Sequence, residues 1–395
     1  MKHRTFSLLS ALLAVFFTLS AYPLPITATT DATSIEAISA PADLNLDCRA
    51  ALLMEATTGM ILYESNADEA LPPASVTKIM TLLLVMEAVE AGAVHLSDTV
   101  TVSAHSASMG GSQVYLKEGE QMSLEDLLKS VIIASANDAA VALAEHVAGS
   151  ESTFVSMMNA RAEELGAKNA KFENTNGLDD TATAHQMSAR DIAIISRELI
   201  RYDTVLRYSS TWMDSIREGA FGLTNTNRLV RFYPGCTGLK TGSTSKAGFC
   251  ITATATRDGL PLICVILGAP TRDTRNAAAT KLLDYGFSTY TLAKFPKETP
   301  SPVTVLGGMK TIVNVGYDEF SAVIPKNERV SLRFTINIPE TVSAPIKKGD
   351  SIGEIIYYAG DRELGRNKIL ASETVEKITF SELLRRLFCA VTLSA

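Results

Sequence analysis

Two serine–lysine pairs, a Ser-Ala-Asn and a Lys-Thr-Gly carry the chemistry legible in this chain. Ser75-Val76-Thr77-Lys78 sets a hydroxyl and an amine three positions apart at the head of an apolar, helix-periodic segment. Positions i and i+3 share a helix face, so the amine can reach the hydroxyl. A serine is a poor nucleophile until a base removes its proton. Lysine can be that base only when neutral, which requires burial and a nearby cation to bring its pKa down from ~10.4. The same spacing recurs at Ser243-Thr244-Ser245-Lys246, so the tetrapeptide alone is not diagnostic. Ser75 is the better nucleophile, because the segment it opens can bury Lys78. Ser243 instead lies in a polar stretch between Gly242 and Gly248.

Two further elements follow in order. Ser135-Ala136-Asn137 falls between two helical patterns, where a loop can aim a hydroxyl and an amide into a cleft. Lys240-Thr241-Gly242 stands where a strand is expected to start; it offers a second cation, a hydroxyl, and a glycine that admits close backbone approach. Ser135 lies 60 residues after Ser75, and Lys240 lies 105 after Ser135. Together the three are far more specific than any one. The five histidines are scattered, and neither CxxC nor HExxH occurs, so no metal, cofactor or Ser-His-Asp triad is expected. The odd count of five cysteines leaves at least one without an intramolecular partner. A net charge of −7 with no basic stripe argues against nucleic acid as a partner.

The elements that must position these residues are partly readable. Residues 50–55 and 60–64 flank Thr57-Thr58-Gly59 as a hairpin, and a helix is expected from Ser75 to about Ala91. Ser123 with Asp126, and Ser188 with Asp191, are N-terminal capping pairs for two more helices. Strands over 249–257 and 262–267 turn at Asp258-Gly259, and a helix over 273–285 follows. Strands at both ends with helices between predict an α+β arrangement, an antiparallel sheet packed on a helical cluster. Near Phe295 the helical periodicity stops, and 330–338 alternates with period two as a half-buried strand. A catalytic domain over 48–296 and a small all-β domain over 297–371 are therefore expected.

Both ends differ from the middle. Lys2, His3 and Arg4 precede an apolar run over 6–21 and small residues at Ala21 and Ala28, the pattern of a signal peptide over 1–28. Residues 29–47 then read as a flexible leader, and the rest works outside the cytoplasm. Within 372–395, Phe380, Leu383, Leu384, Leu387, Phe388 and Val391 recur at helical spacing. Such a helix either docks on the β domain or lies in a membrane surface.

S-x-x-K, S-x-N and K-T-G in this order characterise penicillin-binding proteins. The chain resembles a low-molecular-mass penicillin-binding protein, a D-alanyl-D-alanine carboxypeptidase. Met109-Gly110-Gly111-Ser112, Asn137-Asp138-Ala139-Ala140 and Asn176-Gly177-Leu178-Asp179 extend the likeness, although many relatives carry His where this chain has Asn176. The resemblance implies a transpeptidase-like catalytic fold, peptidoglycan stem peptides as substrate, and β-lactam antibiotics as covalent inhibitors. It also implies an amphipathic tail on the outer face of the cell membrane. By the same resemblance Ser75 is acylated, Lys78 is the general base, and Ser135 relays the proton beside Lys240. Asn137 holds the substrate amide, Thr241 and Gly242 line the site, and the N–H groups of Ser75 and Ser243 form the oxyanion hole. Arg275 receives the terminal carboxylate; its alternative is a solvated helix residue beside Arg272. Two other readings stay open: a β-lactamase-like hydrolase using Glu173, and a non-catalytic wall-peptide binder.

Overall fold

The computed structural model describes residues 44–179 and 183–392. The expected signal peptide and residues 29–43 of the leader lie outside the described residues. At the centre is a five-stranded antiparallel sheet of β1 (Ala50–Glu55), β2 (Ile61–Ser65), β3 (Cys236–Thr244), β4 (Gly248–Arg257) and β5 (Leu260–Ala269), in the order β2-β1-β5-β4-β3. The expected turns hold: β1 and β2 pair across 56–60, and β4 meets β5 at Asp258 and Gly259, both at positive φ.

Strand β5 is apolar almost throughout because both its faces are covered. Ile263, Val265 and Leu267 face a core made with the helical cluster, whereas Leu262 and Cys264 meet a helix over Arg272–Thr289 on the other side. A one-sided sheet would have required alternation. The cluster contains α1 (Lys78–Glu90), α2 (Leu124–Ile133), α3 (Asn137–Ala148) and α4 (Ala189–Leu199), and the helix on the opposite face is α5 (Arg272–Thr289). Every residue of α1 from Lys78 to Met86 is buried, as its all-round apolar sequence requires. The side chains of Ser123 and Ser188 cap α2 and α4 through the N–H groups of Asp126 and Asp191, as their spacing predicts.

Downstream, Tyr290–Lys294 pairs with Ser321–Pro325, and the remaining strands form two small sheets around Val303, Val305, Ile355, Tyr357, Ile369 and Val375. The larger contains β6 (Leu332–Asn337), β7 (Ser351–Ala359) and β8 (Arg362–Ala371). Side chains of β6 alternate between half-buried and exposed as expected, but the strand starts only at Leu332, because a 3₁₀ turn occupies Lys326–Ser331. The tail is shorter than expected as a helix. Residues 372–378 stay on the β layers through Ile346↔Val375 and Gly308↔Lys377 bridges, and α6 runs Phe380–Thr392.

Candidate active site

Ser75 sits in a 3₁₀ turn, Ala74–Thr77, immediately before α1, so the expected helix is divided at Ser75. Lys78 is the first residue of α1 and is wholly buried. Its Nζ lies 3.0 Å from Ser75 Oγ, 2.6 Å from Asn137 Oδ1 and 2.8 Å from the carbonyl oxygen of Asn176. Burial, then the charge of Lys240, pushes Lys78 well below the ordinary lysine value, with Asp138 opposing. The partner geometry defines what the neutral amine does. Such an amine has two N–H bonds and one lone pair. Asn137 Oδ1 is committed as an acceptor because the Nδ2 of the same amide donates to the Gly110 carbonyl at 2.7 Å. Asn137 Oδ1 and the Asn176 carbonyl therefore consume both N–H bonds, and the lone pair is left for the Ser75 O–H.

Ser135 lies between α2 and α3 at φ +63°, a left-handed conformation that costs a non-glycine residue about 1 kcal/mol or more. Lys240 Nζ donates to Ser135 Oγ at 2.8 Å and to the Thr241 carbonyl at 3.0 Å. Burial, and then Arg275, brings Lys240 down to about 7. Lys240-Thr241-Gly242 does not start its strand: β3 begins at Cys236. The glycine at 238 interrupts the apolar pattern there, and pairing with β4 supplies the register that periodicity does not show. Thr241 is buried and donates its hydroxyl to Thr226 Oγ1 at 2.8 Å.

Close approach explains two glycines. A Cβ on Gly242 would stand 2.8 Å from Ser75 N and 2.9 Å from Pro73 O, so β3 lies directly against the Ser75 turn. One on Gly177 would stand 1.9 Å from Ala74 O. Gly242→Ala is expected to displace the Ser75 turn and slow acylation by penicillin at least about tenfold, since forced overpacking costs roughly 1–3 kcal/mol. Acylation rate against thermal midpoint checks it: an unchanged rate would show that the turn yields without cost.

The second serine–lysine pair is not assembled. Ser243 is in β3, where positions three apart do not share a face. Lys246 Nζ instead points to the Asp179 carbonyl at 3.4 Å. Ser243 does line, with Ser75, Ser135, Thr241, Gly242 and Arg275, a single cavity of about 550 Å³. Arg275 on α5 is 3% exposed, so the solvated alternative fails; its guanidinium is brought to about 10 by burial and then by Arg272, and its hydrogen bonds go to Asn276 Oδ1.

Several features of the site escaped sequence reading. Asn176 acts through its backbone carbonyl, so its identity does not disturb the contact with Lys78. Asp138 is buried and accepts from the N–H groups of Val114 and Leu116, tying the 109–116 loop under Asn137. Arg228, Arg272, Trp212 and Phe232 also line the cavity, and no local pattern marks them. Glu173 does not line it; its Oε2 accepts from Thr183 and Ala184 backbone N–H groups.

Comparison with known proteins agrees with this geometry. Residues 36–271 match the D-alanyl-D-alanine carboxypeptidase family model, and residues 287–377 match the C-terminal domain of penicillin-binding protein 5. The D-alanyl-D-alanine carboxypeptidase DacF of Bacillus subtilis is 40% identical over 351 residues, covering 87% of this chain and 90% of that protein. Penicillin-binding protein 5 from Haemophilus influenzae superposes with a TM-score of 0.75 at 30% identity, over 86% of this chain and all of that one. Penicillin-binding protein D2 from Listeria monocytogenes, solved in an ampicillin-bound form, gives 0.58 at 32% identity over 62% of this chain and 99% of that one. With an α+β penicillin-binding fold followed by an all-β region, this chain belongs to the D-alanyl-D-alanine carboxypeptidase family of serine peptidases.

Proposed function

We propose that the protein removes the terminal D-alanine from peptidoglycan stem peptides through an acyl-enzyme on Ser75, and that penicillin acylates the same serine. The observation that carries this is the buried Lys78 amine, 3.0 Å from Ser75 Oγ and held by two fixed acceptors, an arrangement that in the neutral amine leaves the lone pair for Ser75. Ser75 Oγ attacks the carbonyl between the two D-alanines as its proton passes to Lys78. The N–H groups of Ser75 and Ser243 receive the developing oxyanion. Lys240, as the ammonium, supports Ser135 in delivering a proton to the leaving amine, and Asn137 binds the substrate amide. Water then releases the acyl group. D-Alanine released from an acyl-D-Ala-D-Ala peptide, and blocked by prior penicillin treatment, is the direct test; no release would remove the reading. A lactamase reading gains nothing from Glu173, whose carboxylate is held on its own loop.

Arg275 is assigned the terminal carboxylate, for which a forked guanidinium is suited. Arg275→Ala is expected to lower kcat/KM on the dipeptide end roughly tenfold to a hundredfold. Penicillin acylation should fall less. Equal losses on both would show that Arg275 is not a selective peptide anchor.

The catalytic part is assigned to 48–296 and the β part to 297–371, with export through the signal peptide to the extracytoplasmic side. The tail is assigned to the outer face of the cell membrane. Supporting this, Phe380, Leu383, Leu384, Leu387 and Phe388 of α6 are all exposed, as are Leu306, Met309 and Ile312 of the β part. No described helix is long and apolar enough to cross a membrane. Five such side chains at on the order of 1 kcal/mol apiece would hold the enzyme reversibly. Because Val375 is buried among the β layers, a truncation should end at Ile378. That form is expected to stay active on soluble peptide and to leave the membrane fraction, whereas full-length protein pellets until treated with alkali or detergent. If both forms are soluble, α6 is no anchor.

A further inference from the structure

Three guanidinium groups line the cavity, those of Arg228, Arg272 and Arg275, and no described carboxylate lines it. Among the described residues, none of the three forms an ion pair, and neither Arg228 nor Arg272 makes a side-chain hydrogen bond. Elsewhere this acidic protein matches its arginines to carboxylates: Arg190 to Glu64 and Asp68, Arg217 to Glu120, Arg257 to Asp284, Arg366 to Glu354 and Glu363. Of the described arginines without a carboxylate partner, Arg197 and Arg231 do not line the cavity, and the other three do.

Their side of the cleft follows from the chemistry. The leaving amine takes its proton at Ser135 and Lys240, and Arg275 acts electrostatically on Lys240. Arg228 and Arg272 line the same cavity as Ser135 and Arg275. With Arg275 assigned the terminal carboxylate, the cluster lies at the leaving half of the substrate. A terminal D-alanine brings one carboxylate there, enough for Arg275 alone.

We propose that Arg228 and Arg272 form a second anion position, so that the enzyme takes peptides whose leaving amine carries a further carboxylate, as in an acidic cross-linked peptide. The inference rests on the roles given above to Ser75, Lys240 and Arg275. The chemistry is unchanged: the Ser75 ester forms, the C–N bond breaks, the serine proton ends on the leaving nitrogen, and water restores Ser75. Only the charge carried by the departing amine differs.

The test uses peptides with one acyl half, diacetyl-L-lysyl-D-alanyl, joined to D-alanine, D-glutamine or D-glutamate. The last two are near-isosteric and differ in one charge. Full-length wild type is expected to prefer D-glutamate over D-glutamine about tenfold in kcat/KM, with the preference shrinking as salt rises. Arg228→Gln with Arg272→Gln should erase that preference while D-alanine release stays within about twofold. Absence of the preference in wild type overturns the inference. So does an equal loss on all three peptides in the variant, which would assign the cluster to the terminal carboxylate. Failure of wild type on every peptide, with no penicillin label, would instead count against the Ser75 reading.

Discussion

Replacement of Ser75 by alanine is expected to abolish covalent penicillin labelling and to lower peptide turnover by roughly 10⁴-fold or more, the scale on which removal of an acyl-enzyme nucleophile operates. The fold should survive. Among the described residues the side-chain partner of Ser75 is Lys78, so the change removes one hydrogen bond, worth about 1 kcal/mol. Gel fluorescence with labelled penicillin and a thermal melt on the same preparation separate the two effects. Ser243→Ala serves as the control, since Lys246 does not reach Ser243. Labelling that persists in the Ser75 variant and vanishes in the Ser243 variant would move the nucleophile to the second pair.

The second large effect concerns Lys78. Lys78→Arg is expected to reduce acylation at least about a thousandfold, because guanidinium does not surrender its proton at accessible pH. The wild-type pH profile should be a bell, and its sign follows from the two amines. Lys78 must be neutral, and its pKa is driven down by burial and by the Lys240 charge, so activity rises on the acid side as Lys78 loses its proton. Lys240 must carry its proton to support Ser135, and it titrates at about 7, so activity falls as pH passes above that value in the free enzyme. Lys240→Arg keeps the charge and should remove the alkaline limb, at a lower maximum imposed by the larger group. An active Lys78→Arg enzyme would overturn the assignment of the base, as would a kcat/KM profile that stays flat from pH 5 to 9.

Local rules determined much of this protein from sequence alone. The apolar run of α1 from Ile79 to Met86, broken only by Thr81, announces its burial, so Lys78 at its head had to become a buried amine. Ser123 and Ser188 mark their helices because capping is settled within three residues, and the β4–β5 turn is set by Asp258-Gly259. The order of the three motifs, together with the resemblance it carries, was legible on the same terms.

Tertiary structure decided everything that depends on distant segments meeting. Which serine–lysine pair is assembled depends on secondary structure: Ser75 and Lys78 share a helical face, and Ser243 is committed to a strand by pairing with β4. Lys78 is aimed by a carbonyl 98 residues away at Asn176 and by an amide 59 residues away at Asn137. Gly242 is explained by the backbone of the Ser75 turn pressed against it, a contact no periodicity encodes. Arg228 and Arg272 read as ordinary surface residues in sequence, because the absence of carboxylate partners appears only once the chain has folded around them. Hydrogen bonding and side-chain periodicity act over a few residues, whereas an active site is a meeting of residues brought together by the packed core.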